Sequence, residues 1–295
     1  MITLPIERLN AFRENSYRIK PEMRLSTLQG AIDFVKERGF VFFWSIKGID
    51  YPSLWTAVAG NRPVAAYHDD PGHLTWRWKD DSLGEKIWYY GKIIRKKATM
   101  IDLEVVPFFY ALSENYGNPV EDVMIQYHEG RLTREAKAIF DTIHESGPID
   151  TIAIRKATFM TTKESNSRFD RAITTLQSDF KILPIGISDA GGWRYAFIYD
   201  LVHRHYPELV VAAGNISEDA ARDALVKLYF KSVGAASLRN VTKFFQWERR
   251  STIKSIDRLV VSGELIRDVK HPEFTGDWFA IPEVLNSAYW DTIQQ

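Results

Sequence analysis

TREAKAIFDTIHESGPIDTIAIRKATFMTTKESNSRFDRAITTLQSDFKILPIGISDAGGWRYAFIYD, residues 133–200, reads as one folding unit. Thr133 is a short polar residue ahead of Ala136, Ile139, Phe140 and Ile143, so it is expected to cap a helix that buries that face. Gly147 and Pro148 stop this helix, and a second, short one is expected after Asp150 or Thr151. A polar loop, 161–166, leads to a third helix with Phe169, Ile173, Leu176 and Phe180 on one stripe. Two apolar strands, 182–187 and 195–199, close the unit around the turn Asp189-Ala190-Gly191-Gly192. Three helices and a hairpin with a Gly-rich tip are the order of a winged helix. That module offers its third helix to the DNA major groove and its hairpin to the backbone or minor groove.

The pattern recurs downstream. Ser217 is expected to cap a helix with Ala221, Ala224, Leu225 and Leu228 inward, and Gly234 ends it. Ser237 caps the next, with Leu238, Val241, Phe244 and Phe245, and a third carries Ile253, Ile256, Leu259 and Val260 up to Gly263. Strands 265–269 and 278–281 flank a wing at 270–277, and the two N-caps, Thr133 and Ser217, stand about eighty residues apart. Upstream the pattern is less regular. Residues 1–25 read as a polar, partly helical lead-in with few packing residues. A helix from Ser26 or Thr27 places Leu28, Ile32 and Val35 on one face and ends at Gly39. Phe40-Val41-Phe42-Phe43-Trp44 is a buried strand or turn, and Pro52 suits the first position of a helix holding Leu54, Trp55 and Val58. A strand at 64–67 is expected to pair with 73–78 across Asp69-Asp70-Pro71-Gly72. Residues 201–215 read as a joint. The expected fold is α+β, mainly helical, with three tandem winged helix-turn-helix units: 1–125, with an aromatic cleft, then 126–212 and 213–295.

At 295 residues the chain has room for two or three modules with cores of their own. No apolar run approaches the ~18 residues of a membrane span, and residues 1–20 lack the apolar core of a signal peptide, so a cytoplasmic protein without membrane contact is expected. The absence of cysteine excludes disulfides and thiolate zinc sites. A net charge of zero, from 38 basic and 38 acidic residues, argues against indiscriminate nucleic-acid binding but leaves room for a local basic face.

Two such faces stand out. Lys163, Ser165, Asn166 and Ser167 stand at the N-terminal end of the third central helix, where backbone N–H groups and short polar side chains suit phosphate, and Arg168 and Arg171 follow. Glu164, Asp170 and Asp179 dilute them, so a merely solvated face is the plain alternative. In the last module Arg239, Lys243, Arg249, Arg250, Lys254 and Arg258 face only Glu248 and Asp257, although Arg250, Lys254 and Asp257 share a helical stripe. Trp247 beside them could pack against a sugar or base, and the core is its expected place.

Aromatics and cations alternate in Trp76-Arg77-Trp78-Lys79-Asp80-Asp81 and in Trp88-Tyr89-Tyr90-Gly91-Lys92, as a base-stacking cleft requires. Trp44, Trp76, Trp78, Tyr90 and Lys92 are the candidates. The plain alternative has Trp76 and Trp78 alternating on a strand and packing the core. His68-Asp69-Asp70 and His203-x-His205 lack metal-ligand spacing, so no metal is expected. With no P-loop, Gly-x-Gly-x-x-Gly run or nucleophile elbow, no cofactor is expected either, and Gly192-Trp193-Arg194 reads as wing-tip turn chemistry.

The order of modules resembles the tandem winged-helix family of bacterial DNA glycosylases that unhook interstrand crosslinks and excise alkylated bases (the YcaQ/AlkZ-like family). Gly147-Pro148-Ile149, Gly234-Ala235-Ala236-Ser237, Phe245-Gln246-Trp247 and Trp278-Phe279-Ala280-Ile281 carry the resemblance, which spans most of the chain. The C-terminal β-barrel usual in that family is not expected within this sequence. In the family a Gly-aromatic-Val run precedes a Gln-x-Asp or Gln-x-Gln pair that positions the attacking water. Here the run reads Gly39-Phe40-Val41-Phe42-Phe43-Trp44, which puts Phe42 and Trp44 at the pair, and neither ring can accept a proton from water. The resemblance therefore implies a protein that binds double-stranded or damaged DNA without the standard chemistry. One alternative is an active glycosylase using a displaced carboxylate, Asp69 or Asp80. Another is a winged-helix scaffold for protein partners.

Overall fold

Helix Arg134–Ser146 begins where the Ala136 amide donates to the Thr133 hydroxyl at 3.2 Å, and it buries Ala136, Ile139, Phe140 and Ile143. Asp150 accepts from the amides of Ile152 and Ala153 to start Thr151–Ala157. Helix Asn166–Ser178 sets Phe169, Ala172, Ile173 and Leu176 on the same core, which Val123, Leu132, Tyr199 and Leu201 complete. Phe180 lies beyond the helix end, yet it is buried. Strands Ile182–Ser188 and Ala196–Leu201 pair antiparallel, and the short strand Ile149–Asp150 joins the second, Ile149 opposite Tyr199. The central stretch therefore has the helix and strand order expected of it.

The computed structural model describes residues 2–67, 69–191 and 195–286. His68 and the wing-tip residues Gly192, Trp193 and Arg194 lie outside them. Contacts divide the chain into two compact units, one of Trp76–Ser217 and one that joins Met1–Thr75 to Glu218–Gln295. This division differs from the three sequence modules, because the first seventy-five residues group with the last module.

In the first of these units, the winged-helix core is preceded by a hairpin, Tyr89–Lys92 with Ala98–Ile101. The expected joint at 201–215 is mostly helical, Val202–His205 and Pro207–Gly214. In the other unit the order repeats. Helix Glu218–Val233 is followed by strand Ala235–Ser237 and helices Leu238–Phe245 and Arg249–Val261, then by strands Ile266–Lys270 and Trp278–Ala280. Ser237 and Asn240 cap the second helix reciprocally, each side chain bonded to the other's backbone N–H.

Three expectations are corrected. Residues 1–25 are partly helical, but they are not poor in packing residues, since Leu4, Leu9 and Tyr17 are buried. Strand Ile2–Thr3 adds in parallel to Ile266–Lys270, and helix Ile6–Ser16 donates from Arg13 to the carbonyls of Val233 and Ala235, both at 3.0 Å. The hairpin of 64–67 with 73–78 does not form. Asp70 accepts from the Gly72 amide at 2.7 Å, Pro71 fixes a helical start, and helix Leu74–Asp81 follows a single 3-10 turn, so cap chemistry overrides the alternation of Trp76 and Trp78. Pro52 precedes its helix, since Ser53 caps Leu54–Ala59. Elsewhere in that unit, Gly39 ends helix Leu28–Arg38 at φ +79°, which an L-residue resists, and strand Phe40–Phe42 follows fully buried.

Phe140→Ala is expected to cost about 3–5 kcal/mol, the range for emptying a buried phenyl site. Urea unfolding followed by circular dichroism checks it. Ser237→Ala removes one half of the reciprocal cap and is expected to cost about 1 kcal/mol in the same measurement.

Candidate functional site

The pair of positions where the resemblance puts water-activating groups is part of an aromatic core. Phe42 is 1% exposed, its ring 6.0 Å from that of Tyr51 and 5.7 Å from that of Phe244. Tyr51 in turn stacks on Phe40 and Tyr229. Trp44 is half-buried, its ring 5.2 Å from that of Phe43. This geometry offers a water molecule no base at either position.

On helix Arg249–Val261 the cations divide by their partners. Arg258 is held by Asp219 and Asp223, and this contact holds its guanidinium above the ordinary range, the Asp223 hydrogen bond contributing most. Asp257, which shares a stripe with Arg250 and Lys254, is instead taken by Arg267 from the first wing strand. Arg250 and Lys254 are exposed and form no ion pair among the described residues. Arg249 is also exposed, with Asp277 of the wing 3.4 Å away. Trp247 stacks on Phe245 at 4.2 Å under the Arg222 guanidinium, as a packing residue.

The third central helix is less basic than its sequence suggests. Ser165 is buried and donates its hydroxyl to the Thr162 carbonyl at 2.6 Å, which removes it as a phosphate donor. Asn166 is exposed but its side-chain oxygen accepts from Arg155, which also pairs with Asp170. Arg168 reaches Glu135 at 3.3 Å. Arg171 is exposed, and among the described residues its guanidinium has the Ser167 hydroxyl at 3.4 Å as its one hydrogen-bond partner. Lys92 touches this helix from the neighbouring hairpin, its ammonium 3.2 Å from the Thr174 hydroxyl, and burial pulls its pKa down.

Of the aromatic cluster, Trp78 is buried in the core and leaves the set. Trp76 and Tyr90 are half-buried and surround a residue that the sequence did not single out, Lys79. The Lys79 side chain is 1% exposed. Its ammonium lies 4.4 Å from the Trp76 ring centre, 4.8 Å from that of Phe197 and 5.7 Å from that of Tyr90. It is 2.7 Å from Asp80 Oδ1 and donates to the Tyr195 hydroxyl at 2.8 Å, and that hydroxyl donates to the same Asp80 oxygen at 2.9 Å. Burial lowers the Lys79 pKa, with Asp80 opposing, while burial and then Asp80 push Tyr195 up. Lys79 and Tyr195 were missed because nothing local marks them. The lysine resembles any charge in a charged run, and the tyrosine is more than a hundred residues away on the wing.

Asp69 is exposed, whereas Asp70 grips Arg62 with both oxygens, at 2.6 and 3.0 Å. Arg62, first through this hydrogen bond, holds the Asp70 carboxyl below its usual range. No group of three or more His, Cys, Asp or Glu among the described residues could hold a metal ion. No described helix is long and apolar enough to cross a membrane.

Comparison with known proteins agrees with the architecture. The chain is similar in fold to the Streptomyces sahachiroi DNA glycosylase AlkZ, with a TM-score of 0.60 at 12% identity over 96% of this chain and 71% of that one. No curated protein sequence matches. The model of the family described as "AlkZ related" matches residues 25–246, most of the length. The chain belongs to the AlkZ-related family.

Proposed function

We propose that this protein binds double-stranded DNA, damaged DNA included, as a glycosylase-like repair protein whose standard hydrolytic pair is replaced by the aromatic residues Phe42 and Trp44. The observation that carries the reading is the exposed Arg250 and Lys254 on the third helix of a winged-helix module, with their helix-mate Asp257 taken by Arg267. Two cations one turn apart on an open helix face match the spacing of phosphates along a groove. Arg249, Arg168 and Arg171 add to the same function through exposed side chains whose weak surface pairs exchange readily for phosphate. Arg171 and Asn166 belong to the central third helix, the element a winged helix presents to the major groove. The relative named above is itself called a DNA glycosylase, which supports the class of partner.

A scaffold for protein partners is the competing reading, and salt separates the two. Binding through about five phosphates gives a log–log slope near −4.5 against salt concentration, since each phosphate contributes about −0.9. The double variant Arg250→Glu, Lys254→Glu is expected to flatten the slope by about 2 and to weaken binding of an undamaged duplex ~100-fold at moderate salt. Fluorescence anisotropy over a salt series measures both. Affinity unchanged in the double variant would remove the proposed phosphate contacts, and a slope near zero would favour the scaffold. Putting the family's glutamine back is not expected to restore chemistry. Phe42→Gln buries an amide among aromatic rings and should cost about 2–4 kcal/mol in urea unfolding, with no gain in base excision.

A further inference from the structure

Arg239 and Lys243 take no part in the duplex grip proposed above. They stand one turn apart on helix Leu238–Phe245, with Asn240 on the same face, and all three line one cavity. The cavity has a volume of about 450 Å³, within the range of small-molecule sites, and its lining belongs wholly to the unit that joins both chain ends.

The polar side chains around it are mostly donors. Arg239 is exposed, and its guanidinium has no ion pair or hydrogen bond among the described residues. Lys243 gives one N–H to the Gly48 carbonyl at 2.9 Å. The Asn240 side-chain oxygen accepts from the Ser237 amide at 3.1 Å, and among the described residues no acceptor takes its NH2 group. His271 is 8% exposed, and its Nδ1 accepts from the amides of Glu273 and Phe274, both at 3.1 Å. The neutral ring therefore carries its proton on Nε2, and burial, the largest cause, lowers its pKa and favours that form. Asp50 is the one carboxylate among the described lining residues, and Arg13 takes it. Arg13, Arg239 and Lys243 against Asp50 leave the lining with two net positive charges.

Another part of the wall is aromatic. Phe274 of the wing is 60% exposed, its ring 4.7 Å from that of His271 and stacked with that of Trp278 at 6.5 Å. His271 holds the turn beneath it through the Phe274 amide, so an open phenyl face stands at the rim of a cationic cavity.

We propose that this cavity binds a phosphate monoester attached to an aromatic ring, the chemistry of a nucleoside 5′-monophosphate. The phosphate takes the donors of Arg239, Asn240 and Lys243, and the base packs against Phe274. Charge selects the monoester: it carries about −1.5 to −2 at pH 7 on three acceptor oxygens, close to the charge of the lining, whereas each phosphodiester of a duplex carries one. Two sources carry that chemistry, a free nucleotide and the 5′-terminal nucleotide of a DNA strand.

Equilibrium dialysis of the full chain against adenosine 5′-monophosphate, adenosine and inorganic phosphate reads the site. Stacking tolerates any base, so one nucleotide serves as the probe. The nucleotide is expected to bind at least ~10-fold tighter than either fragment, since the phosphate and the ring each contribute that much. Arg239→Ala and Phe274→Ala, both at exposed side chains and checked for folding by thermal melting, should each weaken it ~10-fold, and Phe274→Ala should leave phosphate binding unchanged. The Arg250→Glu, Lys254→Glu variant, whose altered positions lie outside the lining, should bind the nucleotide as the parent protein does, which keeps the two surfaces separate. A 5′-phosphorylated duplex that displaces the nucleotide, where its 5′-hydroxyl form does not, assigns the site to strand ends; displacement by neither assigns it to the free nucleotide. Displacement by both overturns the selection of a monoester. No retention of the nucleotide at millimolar concentration overturns the inference, as does affinity no greater than that of phosphate, or affinity unchanged in folded Arg239→Ala or Phe274→Ala protein. Each of these results leaves the duplex reading intact.

Discussion

The Lys79 ammonium sits in the interior of the unit formed by residues 76–217, and everything around it is arranged to make that burial tolerable. Removing an ammonium from water costs several kcal/mol unless opposite charge and acceptors replace its hydration. Asp80 supplies the charge, Tyr195 an acceptor oxygen, and the ring faces of Trp76 and Phe197 a negative potential at close range. These groups come from a helix and from the wing, and Tyr90 of the hairpin joins them. The pair does more than close a charge balance: it fixes the wing's leading residue against the helix that carries Asp80.

Charge elsewhere follows a similar logic of selective pairing. A chain with equal numbers of acids and bases still presents local positive surface when its acids are claimed by particular cations. Asp219 and Asp223 bind Arg258, Asp257 binds Arg267, and Asp170 binds Arg155. Arg250, Lys254 and Arg171 are left outside these pairs, on the third helices of the two winged-helix modules. Acids that dilute a basic stretch in sequence need not dilute it in space.

The unit that joins both chain ends is organised around aromatic contact. Phe40, Tyr51, Tyr229 and Phe244 stack or meet at a tilt at centroid distances of 4.6 to 6.2 Å. Phe42 belongs to this set, which explains why a polar pair at its position is incompatible with this core. Arg13 then fastens the N-terminal helix to the turn after Val233, with Asp50 as its ion partner.

Much of the architecture was legible in the residues, because capping and helical spacing are local. Thr133, Asp150 and Ser237 cap where short polar side chains precede apolar stripes, and the buried faces of helices Arg134–Ser146 and Asn166–Ser178 are those the periodicity picked out. Local signals misled where two of them competed, as at 71–81, where an Asp-Pro cap outweighed a two-residue alternation of tryptophans. The helix Ile6–Ser16 was obscured because its burial depends on backbone carbonyls far along the chain rather than on an apolar stripe. The candidate site divides in the same way. Sequence alone determined that Phe42 and Trp44 follow Gly39-Phe40-Val41 and that cations stand on the last third helix, since both are matters of residue identity and helical position. Only the tertiary structure decided which cations remain outside ion pairs, that Ser165 and Trp78 are interior, and that Lys79, Asp80 and Tyr195 meet. Hydrogen bonds and ion pairs between residues a hundred positions apart depend on how the chain returns on itself, and no local pattern encodes that return.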